Sequence, residues 1–156
     1  MTRAGGDVHY RVATAPDHDA VVTLLAELLV ELGPPEAAVR VRPLLDVDLR
    51  AALAAPTVRV FLAEDAGTPV GLSRADVLSS DPIFRLRDDH RCGYVDQMYV
   101  RPTYRDRGVG QRLLELCEGW FRAQGIGHAL LHAAPRALRF YARAGYLSNR
   151  EMFKRL

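Results

Sequence analysis

The chain has 156 residues, 49% hydrophobic and 26% charged, the balance of a single globular domain over 1–156 with room for a sizeable core. Its 21 basic and 19 acidic residues leave a formal charge of +2, too even for the cationic face that a nucleic-acid partner requires. Two cysteines, Cys92 and Cys117, lie in no CxxC pair, and no apolar run approaches the roughly 18 residues of a membrane span; a reduced, cytoplasmic protein with no metal, nucleic acid or membrane to bind is expected.

Residues 1–7 read as flexible, and Val8–Ala13 alternates weakly as a first strand. Pro16 and Asp17 form a helix entry, and Ala20–Leu32 is an apolar-periodic helix stopped by Gly33, Pro34 and Pro35. A second helical stretch, Glu36–Ala54, ends at Pro56 and is expected to split at Pro43, which lacks the N–H that a helix interior uses. Val58–Glu64 and Val70–Ser79 flank the turn Asp65–Pro69 as a hairpin. Ser80–Arg91, with Asp81, Asp88 and Asp89, reads as a long polar loop of the kind that often serves a function. Gly93–Val100 is a strand, Gly108–Gln124 a helix, Ala129–His132 a short strand, Arg136–Ala144 a helix, and Tyr146–Arg155 a last strand. The order predicts a mixed α/β fold, a predominantly antiparallel sheet whose C-terminal half is a βαβ crossover.

The threshold of the Gly108 helix is unusual. Arg105-Asp106-Arg107-Gly108-Val109-Gly110 places two glycines where each costs a helix interior roughly 1 kcal/mol relative to alanine. Free N–H groups and the positive end of the helix dipole converge there, and glycines let an anion approach the backbone. The plainer alternative is a tight strand-to-helix turn with solvated arginines. A GxxxxGK[ST] loop is absent, and GxGxxG fails at Leu113. Downstream, Val109, Leu113, Cys117, Trp120 and Phe121 share one apolar stripe, so Cys117 is expected in the core.

Arg105, Gly108 and Gly110 match the acyl-CoA signature Q/R-x-x-G-x-G/A, YVDQMYVRPTYR resembles the strand before it, and ALRFYARAGY, Ala137–Tyr146, resembles the helix that follows. On these two blocks, about a third of the chain, it resembles the bacterial GCN5-related N-acetyltransferases. The resemblance implies the acyl-CoA N-acyltransferase fold and an acetyl-CoA-dependent N-acetyltransferase that uses acetyl-CoA as cosubstrate and a primary amine of a small molecule or protein as acceptor, by direct attack in a ternary complex. It also implies that the backbone of Arg105, Asp106, Arg107, Gly108, Val109 and Gly110 binds the CoA pyrophosphate. Met98, Tyr99 and Val100 would flank the pantetheine, with Met98 and Val100 pairing to it as an added strand. A bulge in the fourth strand, expected at Gln97–Tyr99, would part it from the fifth.

By the same resemblance Tyr141 is the general acid near the CoA sulfur, its other reading being an aromatic packed between helix and sheet, the role that suits Phe140. Asp96 would draw the proton from the amine, or else stand as an ion pair with an arginine or at an exposed strand position; a carboxylate in a mostly apolar strand needs one of these explanations. His132, at a strand end, is an alternative base or a structural residue. A nucleophilic Cys92 with His90 or His132 finds no support in the spacing. Ala134 replaces an asparagine that many relatives carry near the cofactor, and the few residues after Tyr146 leave little room for closing strands, so a homodimer completing that edge is expected. An acyl-CoA-binding module without turnover is the competing reading. Acceptor choice should lie in Leu32–Arg42 and Ser80–Arg91, which carry no recognisable code.

Overall fold

A computed structural model of the protein describes residues 7–79, 90–148 and 154–155. Strands β1 (His9–Val12), β2 (Val58–Asp65), β3 (Thr68–Ser79), β4 (Arg91–Val100) and β5 (Ala129–Leu131) form one sheet in chain order. The first three junctions are antiparallel, and β4–β5 is parallel because helix α3 (Val109–Ala123) carries the chain back across the sheet. The mixed sheet and its crossover half are those the pattern of elements predicts.

Both faces of the sheet are covered, which is why β2 and β3 read as runs of apolar residues rather than strict alternations. Helices α1 (His18–Leu32) and α2 (Pro35–Ala54) lie on one face, where Val21, Leu24, Leu25 and Leu49 pack with Val60, Leu62, Leu72 and Tyr99. On the other face α3 sets Val109, Leu113, Cys117 and Phe121 against Phe61, Ala63, Ala75 and Val95. Cys117 is thus core, its thiol donating to Ser73 Oγ at 3.2 Å and pushed up to about 12 by burial first. Helix α4 (Leu138–Arg143) brings Phe140 and Tyr141 to the edge of this second cluster.

Pro43 does not split α2, which runs unbroken through it. The proline stands on the exposed side of the helix, and Val39, whose carbonyl loses its donor, is 76% exposed, so water supplies what the proline withholds. The hairpin turn is tighter than expected: β3 starts at Thr68, and Ala66 and Gly67 both take positive φ, 47° and 79°, as a two-residue loop matched to the twist of its strands requires. Residues 146–148 are irregular rather than strand; 149–153 of the expected last strand, 80–89 of the polar loop and 1–6 of the expected flexible end lie outside the described residues.

Gly93 marks where α3 presses on β4. A Cβ there would sit 2.5–2.6 Å from three ring carbons of Phe121, itself buried, so the ring or the strand would have to move. Gly93→Ala is expected to destabilise the fold by about 1–3 kcal/mol, read as a lowered urea midpoint at unchanged m-value.

Candidate functional site

The site begins where two strands part. β5 pairs with β4 only from Gly93↔Ala129 to Val95↔Leu131, and then ends. At the same point the register between β3 and β4 shifts: Ala75 faces Val95, Arg74 faces Gln97, and Asp96 is left as the extra residue. The bulge is therefore centred on Asp96, just ahead of the expected Gln97–Tyr99. Side-chain faces explain the position: Val95 and Met98, three residues apart, both join the α3 cluster, while Tyr99 joins the α1–α2 core. Strict alternation cannot place 95 and 98 on one face, and one inserted residue does.

From Asp96 to Val100 the outer edge of β4 lines a cleft of about 740 Å³, with His132, Ala134 and Tyr141 across from it and Leu28 and Leu32 of α1 at one side. At its other end the cleft reaches the start of α3. Asp106 (φ 58°) and Gly108 (φ 79°) bend the chain through left-handed conformations into the helix. The cap residue is Gly108, which has no side chain to bond the first N–H groups; the first bond of the helix runs from Arg112 N–H to Gly108 C=O. Gly110 also lines the cleft, where a Cβ would stand 3.6 Å from the Phe140 ring. The two glycines thus serve different ends, one a backbone bend and the other a bare helix entry.

The neighbouring arginines are partly committed. Arg105 donates from Nε to the Val100 carbonyl at 2.8 Å and from its terminal nitrogen to both oxygens of Glu31, at 2.7 and 2.8 Å. Glu31, on α1, also pairs with Arg136 at 2.7 Å and accepts from the Tyr99 hydroxyl at 3.3 Å. One carboxylate therefore ties α1, the α3 entry loop and the approach to α4 together around the cleft. Arg107 instead lies over the Tyr104 ring at 5.2 Å, and the Val109 side chain is buried in the core, so neither side chain lines the cleft.

Tyr141 and Asp96 stand at different sides of the opening. The Tyr141 hydroxyl donates to Met98 Sδ at 3.8 Å, and burial, reinforced by Cys117, pushes it up to about 12, so it stays a neutral donor at physiological pH. Asp96 faces the other way, 3.6 Å from Arg74 Nε, with its side chain 33% exposed. Its carboxyl is held above the ordinary carboxylate value by burial first; Arg74 opposes that, and Asp76 and Asp48 add to it. His132 also lines the cleft and shares a short hydrogen bond through Nδ1 with the Tyr94 hydroxyl. Cys92 and His90 are outside the cleft lining, and Asp88 and Asp89 are outside the described residues.

The cleft therefore collects Asp96, Met98, Tyr99, Val100, Arg105, Asp106, Gly108, Gly110 and Tyr141 of the expected residues. Sequence reading missed Glu31, Arg136, Arg74 and Asp48. Arg74 was findable, since a cation amid GLSRADV raises the same question as Asp96 does in its own strand. Glu31 was not, because it reads as an ordinary polar position of an amphipathic helix.

The sequence pattern of the Acetyltransferase (GNAT) family matches residues 24–146. An IAA acetyltransferase of Azospirillum brasilense is 36% identical over 122 residues, 75% of this chain and 68% of that protein. Among solved structures, a GCN5-related N-acetyltransferase of Ralstonia eutropha JMP134 superposes with a TM-score of 0.87 at 26% identity, over 96% of this chain and 99% of that one. A predicted acetyltransferase of Clostridium acetobutylicum, crystallised with acetyl-CoA, superposes with a TM-score of 0.85 at 20% identity, over 96% of both chains.

The Glu31 clasp yields a pH signature. Burial, the largest single effect, raises its carboxyl, but the hydrogen bonds and charges of Arg105 and Arg136 together outweigh it and hold the carboxyl below its ordinary value. A carboxyl lowered on folding stabilises above its unfolded value, roughly 4.3, and that contribution is lost as pH falls through the folded value. Glu31→Gln should cost about 1 kcal/mol at pH 7, kept small because Arg105 and Arg136 are 37% and 52% exposed. The gap between wild type and variant in urea unfolding should narrow below roughly pH 4.

Proposed function

The chain belongs to the acetyltransferase (GNAT) family, and from that we propose how its cleft carries the reaction of an acetyl-CoA-dependent N-acetyltransferase. The observation that carries the reading is the cleft itself, which brings a bare helix entry, the open edge of β4, a buried hydroxyl and a carboxylate to one opening. The N–H groups at the start of α3 would take the CoA diphosphate, aided by the helix dipole more than by Arg105, whose guanidinium is engaged with Glu31 and Val100. Met98 and Val100 would pair with the pantetheine along the edge that β5 leaves open.

The thioester supplies an activated acetyl group, and the residues of this chain do the rest. Asp96 would accept a proton from the ammonium, directly or through a water, leaving the neutral amine to attack the thioester, and Gln97, whose buried Oε1 meets no donor among the described residues, offers the amine a second hydrogen-bond acceptor. A main-chain N–H near Met98 would face the carbonyl oxygen as it gains charge. Tyr141 would donate to the departing sulfur, in the place its hydroxyl now gives to Met98 Sδ. In water a tyrosine and a thiol differ by roughly 1.5 pKa units, and burial raises both, since each becomes an anion; the transfer therefore costs only about 2 kcal/mol.

The acceptor is read as a primary amine of a small molecule or protein, met by direct attack in a ternary complex and selected near Leu28 and Leu32. The enzyme is read as cytoplasmic, with acetyl-CoA and the amine as its partners and no role for nucleic acid or membrane; among the described residues no helix is long and apolar enough to cross a membrane. The homodimer expected from the sequence would use the edge of β5, where Leu130 is 44% exposed.

Tyr141→Phe and Asp96→Asn are each expected to lower kcat by about 10²-fold or more, with coenzyme A affinity by calorimetry kept within about threefold. His132→Ala should leave kcat within about tenfold, and a larger fall would move the base to His132. Unchanged turnover in both of the first two variants would contradict the assignment.

A further inference from the structure

Arg74 stands in the middle of β3 between Ser73 and Ala75, both wholly buried, and is itself buried. A guanidinium there gives up its water, and carboxylates must replace it. Three do so, from three elements. Its terminal nitrogen donates to Asp48 of α2 at 2.6 Å, and Nε donates to Asp76 of β3 at 2.9 Å. The third, Asp96 of β4, lies 3.6 Å from the same Nε, an ion-pair separation beyond a good hydrogen bond.

The geometry follows from the bulge. Arg74 is the β3 residue at the register shift, opposite Gln97, so the extra residue on β4 is delivered beside its guanidinium. One positive charge against three negative is more acid than a structural ion pair needs. The three differ in how they are compensated: Asp48 is half exposed and solvated, and Asp76 is hydrogen-bonded, whereas Asp96 has, among the described residues, charge attraction without a hydrogen bond, and it borders the cleft. Of the three, Asp96 keeps its lone pairs available.

We propose that Arg74 is the positioning residue of the acceptor side: pinned by Asp48 and Asp76, it holds the Asp96 carboxylate at the mouth of the cleft by charge alone, leaving its oxygens open to the amine proton. This rests on the reading of Asp96 as proton acceptor given above. Asp96 is faced by Arg74 and Asp76 from β3 and by Asp48 from α2; on the far side of the cleft stand Tyr141 and His132, the latter held by Tyr94.

The test is a pair of opposite shifts. In the full-length protein, the Asp96 carboxyl carbon is titrated by NMR, and kcat is measured against pH, for wild type, Arg74→Gln, Arg74→Lys, Asp76→Asn and Asp48→Asn. Losing the cation in Arg74→Gln should move both the Asp96 midpoint and the acid limb of kcat to higher pH by roughly half a unit to one unit. Asp76→Asn and Asp48→Asn should move both to lower pH, because each removes a like charge and frees the guanidinium. Arg74→Lys should restore most of the midpoint shift. If Arg74→Gln does not fold, the two asparagine variants still decide the matter. An Asp96 midpoint unmoved by them, in an enzyme that Asp96→Asn inactivates, overturns the positioning role alone. A midpoint that moves while the acid limb stays, in an enzyme that Asp96→Asn leaves active, overturns the reading of Asp96 and the proposal with it.

Discussion

The parting of β4 from β5 after the Val95↔Leu131 pair is the constraint on which the rest depends. A continued pairing would consume the edge from Asp96 to Val100 and leave no cleft. Two features enforce the separation together. β5 is only three residues long, and the bulge at Asp96 redirects β4 at the same level. The bulge also resets side-chain faces, returning Tyr99 to the α1–α2 core and Met98 and Val100 to the α3 side. One inserted residue thereby opens the backbone edge, sets Asp96 beside Arg74, and puts Met98 under the Tyr141 hydroxyl.

Charge is arranged around that opening in clasps rather than as a field. Arg11 binds Asp17 and Glu64 and fixes the entry to α1 against β2. Glu31 gathers Arg105 and Arg136 from two walls of the cleft, and Arg74 gathers Asp48, Asp76 and Asp96. In each case a polar group among apolar neighbours is compensated by partners from separate elements, so the clasps stiffen the joints between elements. The two that border the cleft have opposite polarity, a carboxylate shared by two arginines near the α3 entry and an arginine shared by three carboxylates near the bulge. That polarity suits a polyanion at one end of the cleft and a protonated amine at the other.

Much of this was legible in the sequence. Apolar periods of 3.6 and 2, punctuated by Gly33, Pro34, Pro35, Pro56 and the Asp65–Pro69 turn, give the element order, and the glycines of residues 108 and 110 announce the bare helix entry. Where reading failed, a long-range fact decided the outcome. Pro43 is tolerated because α2 exposes that side to water, and nothing in PEAAVRVRPLLDVDLR says which side that is. The bulge was expected just past its true place because a register shift belongs to two strands, while the sequence displays one. Asp48 and Glu31 matter through partners 26 to 105 positions away, Arg74 for Asp48 and Arg136 for Glu31, and no local pattern encodes such pairs.

Amide hydrogen exchange along β4 tests the central claim most directly. Tyr99, opposite Leu72 in the β3 ladder, should be protected in the free protein, while Met98 and Val100, turned toward the cleft, should exchange faster and slow at least roughly tenfold when acetyl-CoA is added. Saturation with acetyl-CoA that leaves Met98 and Val100 exchanging at their free rates would contradict the account, because the open edge would then have no part in holding the thioester.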